Sequence, residues 1–168
     1  MPEFGYHTIG TSNLDFGAVA FGCKFSLLET GTPSKMGFYG KPASGSVNVK
    51  GAIYSVSGGA PSAKLEESSG TLVSTSLQWW DLIISGASSR SAGDYVLMLL
   101  PDADLTVYYL QNAGLGDIYT QESATYPTFP DPSSGSFVWD SELSVFCEYS
   151  TGGGGKVIPV FMYNRRQQ

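Results

Sequence analysis

Apolar residues in this chain recur at every second position, or run unbroken for the length of one strand, and no stretch of eleven residues keeps a helical spacing. Cys23, Phe25 and Leu27, for example, are separated by Lys24 and Ser26. Such alternation is typical of strands that bury one face. The pattern therefore predicts a chain built from β-strands.

Clusters of Gly, Pro, Ser and Asn divide the chain into about ten candidate strands. The candidate strands are residues 5–11, 17–29, 34–41, 45–56, 71–75, 77–85, 93–100, 104–111, 137–149 and 156–163. Short strands in regular succession without helices predict an all-β fold, an antiparallel two-sheet β-sandwich. We predict a jelly roll, because about ten strands is high for an immunoglobulin-type sandwich.

Residues 112–135 form the one long stretch without a strand pattern, and they contain three prolines. Loops of this length inside a domain are uncommon and often functional, so we expect a functional loop here.

The 168 residues suffice for one hydrophobic core, which predicts a single domain over 1–168. Residues 1–4 could be a cloning remnant or a frayed terminus. We expect no membrane span, because the longest apolar cluster, residues 95–101, has only the length of a strand. The start of the chain lacks the pattern of a signal peptide, so the chain is either cytoplasmic or, as we favour, a mature domain of a larger secreted protein. An extracellular or surface-associated location is the expectation.

Charge is distributed unevenly along the chain. Residues 65–155 carry twelve acids and one base, whereas the first 64 residues have a net charge of +2 and the last thirteen +3. Nucleic acid is not an expected partner, because its phosphates require a continuous basic surface. The acidity either solubilises the surface or coordinates Ca²⁺. The candidate Ca²⁺ ligands lie in or near predicted turns: Asp102, Asp104, Asp117 and Asp131.

Residues for catalysis are scarce. His7 is the one histidine, no Gly-x-Ser-x-Gly motif occurs, and the two cysteines are too far apart in sequence to suggest a zinc site. The Gly-rich stretch 151–156 does not match a phosphate-binding loop, since Val157 follows Lys156. Twelve acids leave a glycosidase pair open, but no acid/base motif is visible and an enzyme is not expected.

Cys23 and Cys147 lie in predicted strands near opposite ends of the chain. Two interpretations stay open, namely a disulfide that closes a long loop and a pair of buried free thiols.

The order of several short phrases resembles a known group of domains. The phrases are Phe21-Gly22-Cys23-Lys24-Phe25-Ser26-Leu27, Asn48-Val49-Lys50-Gly51-Ala52-Ile53-Tyr54-Ser55, Trp79-Trp80, Ser91-Ala92-Gly93-Asp94-Tyr95-Val96-Leu97, Leu105-Thr106-Val107-Tyr108-Tyr109 and Tyr126-Pro127-Thr128-Phe129-Pro130-Asp131-Pro132. Over roughly residues 19–150 the chain is similar to the jelly-roll modules, carbohydrate-binding modules among them, that are appended to secreted prokaryotic glycoside hydrolases, surface proteins and phage structural proteins. The resemblance implies a non-catalytic β-sandwich attached to a larger protein.

Aromatic residues are the main resource for binding, with nine Phe, ten Tyr and three Trp. Sugar rings stack on flat aromatic side chains that are flanked by hydrogen-bonding groups. The aromatic residues that could point outward or lie in the long loop are Trp79, Tyr126, Tyr54, Tyr108, Tyr119 and Trp139. For each of them, packing in the core is the competing interpretation.

Two functions follow from these observations. The first is a non-catalytic carbohydrate-binding module that holds a partner enzyme or surface protein at a polysaccharide of glucan or xylan type. The alternative is a structural β-sandwich subunit, of a phage decoration, a fibre or a cell surface, that self-assembles. Clustered coplanar aromatic rings in an open groove would favour sugar binding, whereas a broad apolar patch would favour assembly.

Overall fold

The computed structural model describes residues 1–152, which form thirteen strands in two antiparallel sheets packed face to face. The strands are β1 (Glu3–Gly5), β2 (Ser12–Phe16), β3 (Val19–Leu27), β4 (Thr32–Pro42), β5 (Val47–Ser57), β6 (Ala60–Glu67), β7 (Thr71–Val73), β8 (Gln78–Ile83), β9 (Gly93–Pro101), β10 (Leu105–Gln111), β11 (Tyr119–Ser123), β12 (Ser141–Leu143) and β13 (Val145–Ser150). The all-β sandwich predicted from the alternation is confirmed, and the candidate strand at 156–163 lies outside the described residues. Residues 1–152 contain no helix long and apolar enough to cross a membrane.

Eight of the strands make a jelly roll. One sheet contains the order β2-β10-β4-β8, and the other contains β3-β9-β5-β6. The chain passes from one sheet to the other at nearly every step and stays in one sheet for the β5–β6 hairpin. This is the double-sheet, eight-stranded arrangement of a jelly roll.

The remaining strands widen the two sheets to seven and six strands. β11 pairs with the free edge of β3, and β7 pairs with β5 in the six-stranded sheet. In the seven-stranded sheet, β1 pairs with β13, and Phe4 of β1 is buried in the core. Residues 3 and 4 thus belong to the sandwich, whereas Met1 and Pro2 precede β1 and are exposed.

Ser144 interrupts what the sequence predicts to be one strand over 137–149. Residues on its two sides pair with different neighbours, β12 with β10 and β13 with β4. The Ser144 backbone N–H donates to the Tyr108 carbonyl at 2.9 Å, and its carbonyl accepts from the Tyr39 N–H at 3.0 Å. Its hydroxyl Oγ accepts from the Gly10 N–H at 2.8 Å. We call this change of pairing partner the fork in the sheet. At the fork, the hydrogen bonds of Ser144 join three segments at one buried point and pair backbone groups that would otherwise have no partner.

The main core lies between the two sheets and follows the alternation of the sequence. Cys23, Phe25 and Leu27 all point into it, as do Val145 and Cys147 from the opposite sheet. The two thiols are free and buried. Of the two interpretations left open for the cysteines, the structure confirms the buried free thiols.

A second, smaller core covers the outer face of the six-stranded sheet. Its buried members are Ala20, Ala52, Tyr54, Val96, Met98, Leu100 and Phe129, and Val56, Ala124, Tyr126 and Phe137 pack against them. The segment 124–137 lies over the sheet through this apolar packing, and Tyr54 donates its phenolic proton to the Pro130 carbonyl at 2.5 Å. Glu122 of β11 accepts from the Ser133 hydroxyl at 2.6 Å and from the Ser134 N–H at 2.8 Å. The stretch 112–135 is therefore not an irregular loop throughout: it contains β11 and a plate of residues that buries one face of a sheet.

We expect neither thiol to react with Ellman's reagent in the folded protein, and both to react once guanidinium unfolds it. Burial raises the pKa of the Cys23 thiol and raises that of Cys147 to about 12, so the reactive thiolate is absent at neutral pH. The measurement is the absorbance of released nitrothiobenzoate before and after denaturant is added. Absence of reaction in the unfolded, unreduced chain would reveal a disulfide, and rapid reaction in the native chain would contradict the burial.

Candidate functional site

A pocket of about 340 Å³ opens at the end of the sandwich where the edges of the two sheets meet. β2, β10 and β12 supply its walls from the seven-stranded sheet, and β11 supplies one residue from the other sheet. The lining residues are Leu14, Phe16, Tyr109, Gln111, Asn112, Tyr119, Trp139, Asp140, Ser141 and Leu143. The volume lies at the lower end of the range for small-molecule sites, and the lining combines aromatic and polar side chains as such sites do.

Stacked aromatic rings form one wall of the pocket. The Trp139 ring lies on the Tyr119 ring with centroids 5.1 Å apart and planes within 15°. The stack continues inward through Phe16, which lies at 6.1 Å from Tyr119 and at 3.9 Å from Phe21. Trp139 is 55% exposed, whereas Tyr119 is buried. The wall therefore presents one accessible ring that is backed by the core.

Tyr119 is fixed by its phenol as well as by its ring. The hydroxyl donates to Gln121 Oε1 at 2.7 Å, and burial raises the pKa of the Tyr119 phenol. A backbone bridge also joins residue 119 to Trp139. These contacts hold the two stacked rings in one orientation.

Asp140 is held at the pocket by the turn that follows β10. Its carboxylate accepts from the Gly114 N–H at 2.9 Å and from the Leu115 N–H at 3.1 Å. The Asp140 carbonyl accepts from the Asn112 N–H at 2.8 Å. Asn112 has a φ of 53°, a left-handed conformation that Asn tolerates better than most residues. The turn thus fixes one carboxylate and places the exposed amide side chains of Gln111 and Asn112 at the mouth.

Trp79 and Tyr108 lie elsewhere, on the outer face of the seven-stranded sheet. Tyr39 contacts both, with ring centroids 5.4 Å from Trp79 and 5.3 Å from Tyr108. His7 stacks on Phe146 at 3.7 Å and meets the Trp79 ring edge to face at 4.7 Å. We call these five residues the outer aromatic cluster. Its rings meet one another at steep angles, apart from the His7–Phe146 pair.

Tyr54 and Tyr126 belong to the second core. Tyr54 is fully buried beneath Phe129, so the expectation that its ring is accessible to a ligand is wrong. Burial also raises the pKa of the Tyr54 phenol. Tyr126 is half-buried against the same core. The six candidate aromatic residues therefore fall at three places, and only Tyr119 and Trp139 meet in a concave site.

The four candidate Ca²⁺ ligands do not form one site. Asp102 accepts from the N–H and the side-chain amide of Asn48 at 2.9 and 2.7 Å, and Asp131 accepts from the Lys64 N–H at 3.0 Å. Asp104 and Asp117 are exposed in turns. Within residues 1–152, no three His, Cys, Asp or Glu side chains are grouped so that they could hold a metal ion. The structure therefore does not bring the four aspartates together, and no metal-sized group of ligands forms around any of them within residues 1–152.

Sequence reasoning missed most of the residues around Trp139. The missed residues come from distant parts of the chain and show no regular spacing in sequence: Phe16, Tyr109, Gln111, Asn112 and Asp140. The one local signal among them is Asn112-Ala113-Gly114, a sequence that predicts a turn and does not indicate a pocket. Their meeting is a property of the topology, since β2 and β12 both pair with β10.

No protein family model, no curated protein and no solved structure matches this chain. The resemblance to carbohydrate-binding modules therefore stays a prediction, and the function is argued from the site alone.

Proposed function

We propose that the chain is a non-catalytic carbohydrate-binding module, and that the pocket at the end of the sandwich holds a sugar ring against Trp139. The observation that carries the proposal is the coplanar Trp139–Tyr119 stack in an open pocket, because an accessible flat ring backed by the core offers the apolar face of a sugar a rigid surface. Stacking on such a preordered ring costs little conformational entropy.

Polar side chains at the mouth supply the hydrogen bonds that a sugar needs. Gln111 and Asn112 each offer an amide donor and acceptor, Ser141 a hydroxyl and Asp140 a fixed carboxylate. Sugar hydroxyls both donate and accept, so this mixed set suits them better than a purely apolar wall would. The pocket has room for one or two rings of a chain, which favours binding at a chain end.

Binding rather than hydrolysis is the better account of this pocket. A glycosidase of the common type brings two carboxyl groups to the scissile bond. Among the described residues that line the pocket, Asp140 alone carries a carboxylate, and two backbone amides already bind it. The module would then act by keeping a larger extracellular or surface-associated protein near a polysaccharide of glucan or xylan type.

A self-assembling structural subunit is the second candidate, and the outer aromatic cluster favours it. Trp79, Tyr39 and Tyr108 are partly exposed on the outer face of the seven-stranded sheet, where among residues 1–152 His7 packs against Trp79. Ile83, on the same strand as Trp79, is half exposed. Aromatic residues on such a face are also typical of interfaces between protein chains.

Affinity electrophoresis in gels that contain soluble glucans or xylan tests the proposal, alongside light scattering of the eluting protein. We expect at least one neutral polysaccharide to retard the chain, and we expect the chain to elute as a monomer. Unretarded migration in every gel, together with a defined oligomer, would reject sugar binding and favour the structural subunit.

A further inference from the structure

Among the described residues that line the pocket, Asp140 carries the one charged side chain. Asp117 lies between the lining residues Asn112 and Tyr119 in sequence. Lys24 is the nearby base: its backbone N–H donates to the Ile118 carbonyl at 2.9 Å, and its amine lies 5.2 Å from the centroid of the Phe137 ring. Glu142 is the neighbour of Ser141 on β12, and burial and the charge of Asp140 raise the pKa of the Glu142 carboxyl. A pocket of this kind has a negative potential that low-dielectric walls intensify.

The aromatic wall acts in the same direction. The faces of Trp, Tyr and Phe rings carry a negative quadrupole, and a cation within about 6 Å of a ring centroid is attracted to it. Tyr109, Tyr119 and Trp139 line the pocket together with Asp140. A ligand that is apolar on one side and positively charged on the other matches both features, whereas a uronic acid meets repulsion from the carboxylate.

Asp140 is prepared for such a ligand before it binds. Two backbone N–H groups fix the carboxylate, so its orientation is already set before the ligand binds. A carboxylate has about four acceptor positions, and the Gly114 and Leu115 amides use two of them. The carboxylate therefore keeps acceptor capacity for a further donor from the ligand.

We infer that the pocket selects amino sugars, namely chain ends that carry a protonated 2-amino group, over neutral sugars of the same shape and over acidic sugars. This inference rests on the proposed function and names its ligand class. The ammonium group would pair with Asp140 while the sugar ring stacks on Trp139. Acetylation of the amine would remove the advantage, because it removes the charge.

A matched ligand series tests the inference on the unmodified chain. The probes are β-1,4-linked tetrasaccharides of glucosamine, N-acetylglucosamine and glucose, which differ at the second carbon and in little else, and isothermal titration gives each Kd. We expect the glucosamine tetramer to bind about fivefold more tightly than the other two at low salt, which is the upper range for a solvent-accessible ion pair. We expect this ratio to shrink at about 0.5 M NaCl, where charges are screened within a few ångströms.

The results of the series separate the charge selection from sugar binding itself. Equal affinities for the three tetramers, or tighter binding of the acetylated one, would overturn the charge selection while sugar binding stands. Failure of all three to bind, together with unretarded migration in the polysaccharide gels, would reject the proposed function as well.

Asp140→Asn supplies the test at the level of the residue. The amide removes the negative charge and keeps one of the two oxygen acceptors, so we expect the ratio of the Kd for the glucose tetramer to the Kd for the glucosamine tetramer to fall from about five to about one, whatever the change in the affinity that both tetramers share. Asp104→Asn is the matched control, because it removes the same charge from an exposed turn at the opposite end of β10. A preference that persists in Asp140→Asn, or that disappears equally in Asp104→Asn, would overturn the inference.

Discussion

Phe129→Ala is expected to lower the free energy of unfolding by about 3 to 5 kcal/mol, the usual cost of truncating a buried Phe. Phe129 is 2% exposed, and its ring packs edge to face on Tyr54 with centroids 6.3 Å apart. Truncation would open a cavity between the segment 124–137 and the sheet below it. Guanidinium denaturation followed by far-ultraviolet circular dichroism measures the change.

Leu72→Ala is the control for Phe129→Ala. Leu72 lies on the short strand β7 and is 64% exposed, so its truncation should change the free energy of unfolding by no more than about 0.5 kcal/mol. If Phe129→Ala were as mild as the control, the segment 124–137 would be a loose appendage and the second core would contribute little.

The fold was predictable from the sequence because alternation is a local property. In β8 and the residue that follows it, the strand period of two sets Trp80, Leu82 and Ile84 on one face and Trp79 on the other. The structure confirms this: Leu82 and Ile84 are buried, Trp80 packs against the core, and Trp79 joins the outer aromatic cluster. Each of these assignments requires only the period of a strand.

Whether a side chain is exposed was harder to predict than the face of the sheet on which it lies, and Tyr54 shows why. The period of two along β5 sets the Tyr54 side chain on the same face as Lys50, which is the outer face of the six-stranded sheet. What covers that face is the segment around Phe129, some 75 positions later, and nothing near Tyr54 in the sequence indicates it. A polar neighbour such as Lys50 was misleading, since its amine reaches the Pro127 carbonyl of the covering segment at 3.3 Å.

The predicted strand boundaries were wrong at residues 137–149, where the topology is unusual. The run 137–149 is apolar enough for one long strand, but the sheet forks at Ser144, and a strand in a fork must change its pairing partner. Trp139 lies just before β12 and is bridged to Tyr119 in the other sheet. The fork thus contributes to the site, because it pairs β12 with β10 and so brings Ser141 and Leu143 beside Tyr109 and Gln111 in the pocket.

Covering one sheet on both faces restricts where a ligand can bind. The six-stranded sheet has the main core on one side and the second core on the other. Aromatic rings remain accessible on the outer face of the seven-stranded sheet and at the end pocket. These two surfaces share β10, where Tyr108 faces outward and Tyr109 faces the pocket. Neighbouring residues on one strand therefore separate the two candidate functions, and substitutions can address each surface independently.

Trp139→Ala is expected to weaken binding to the most strongly retarding polysaccharide by about thirtyfold or more. A Trp at the centre of a binding site typically contributes about 2 kcal/mol or more, which corresponds to this factor. Trp79→Ala removes the same side chain from the outer aromatic cluster and should leave the retardation unchanged. Affinity electrophoresis over a range of polysaccharide concentrations gives the dissociation constant for both variants, and thermal melting checks that each remains folded.

The comparison of the two tryptophan variants separates the two surfaces. Lost retardation in Trp139→Ala with a normal melting curve, beside a retarded Trp79→Ala, places binding in the end pocket, since Trp139 is the accessible ring of that wall. The reverse result would move sugar binding to the outer face, where Tyr39 and Tyr108 flank Trp79. In that case the Trp139–Tyr119 stack would serve the stability of the sandwich end, and Trp139→Ala would lower the melting temperature without changing retardation.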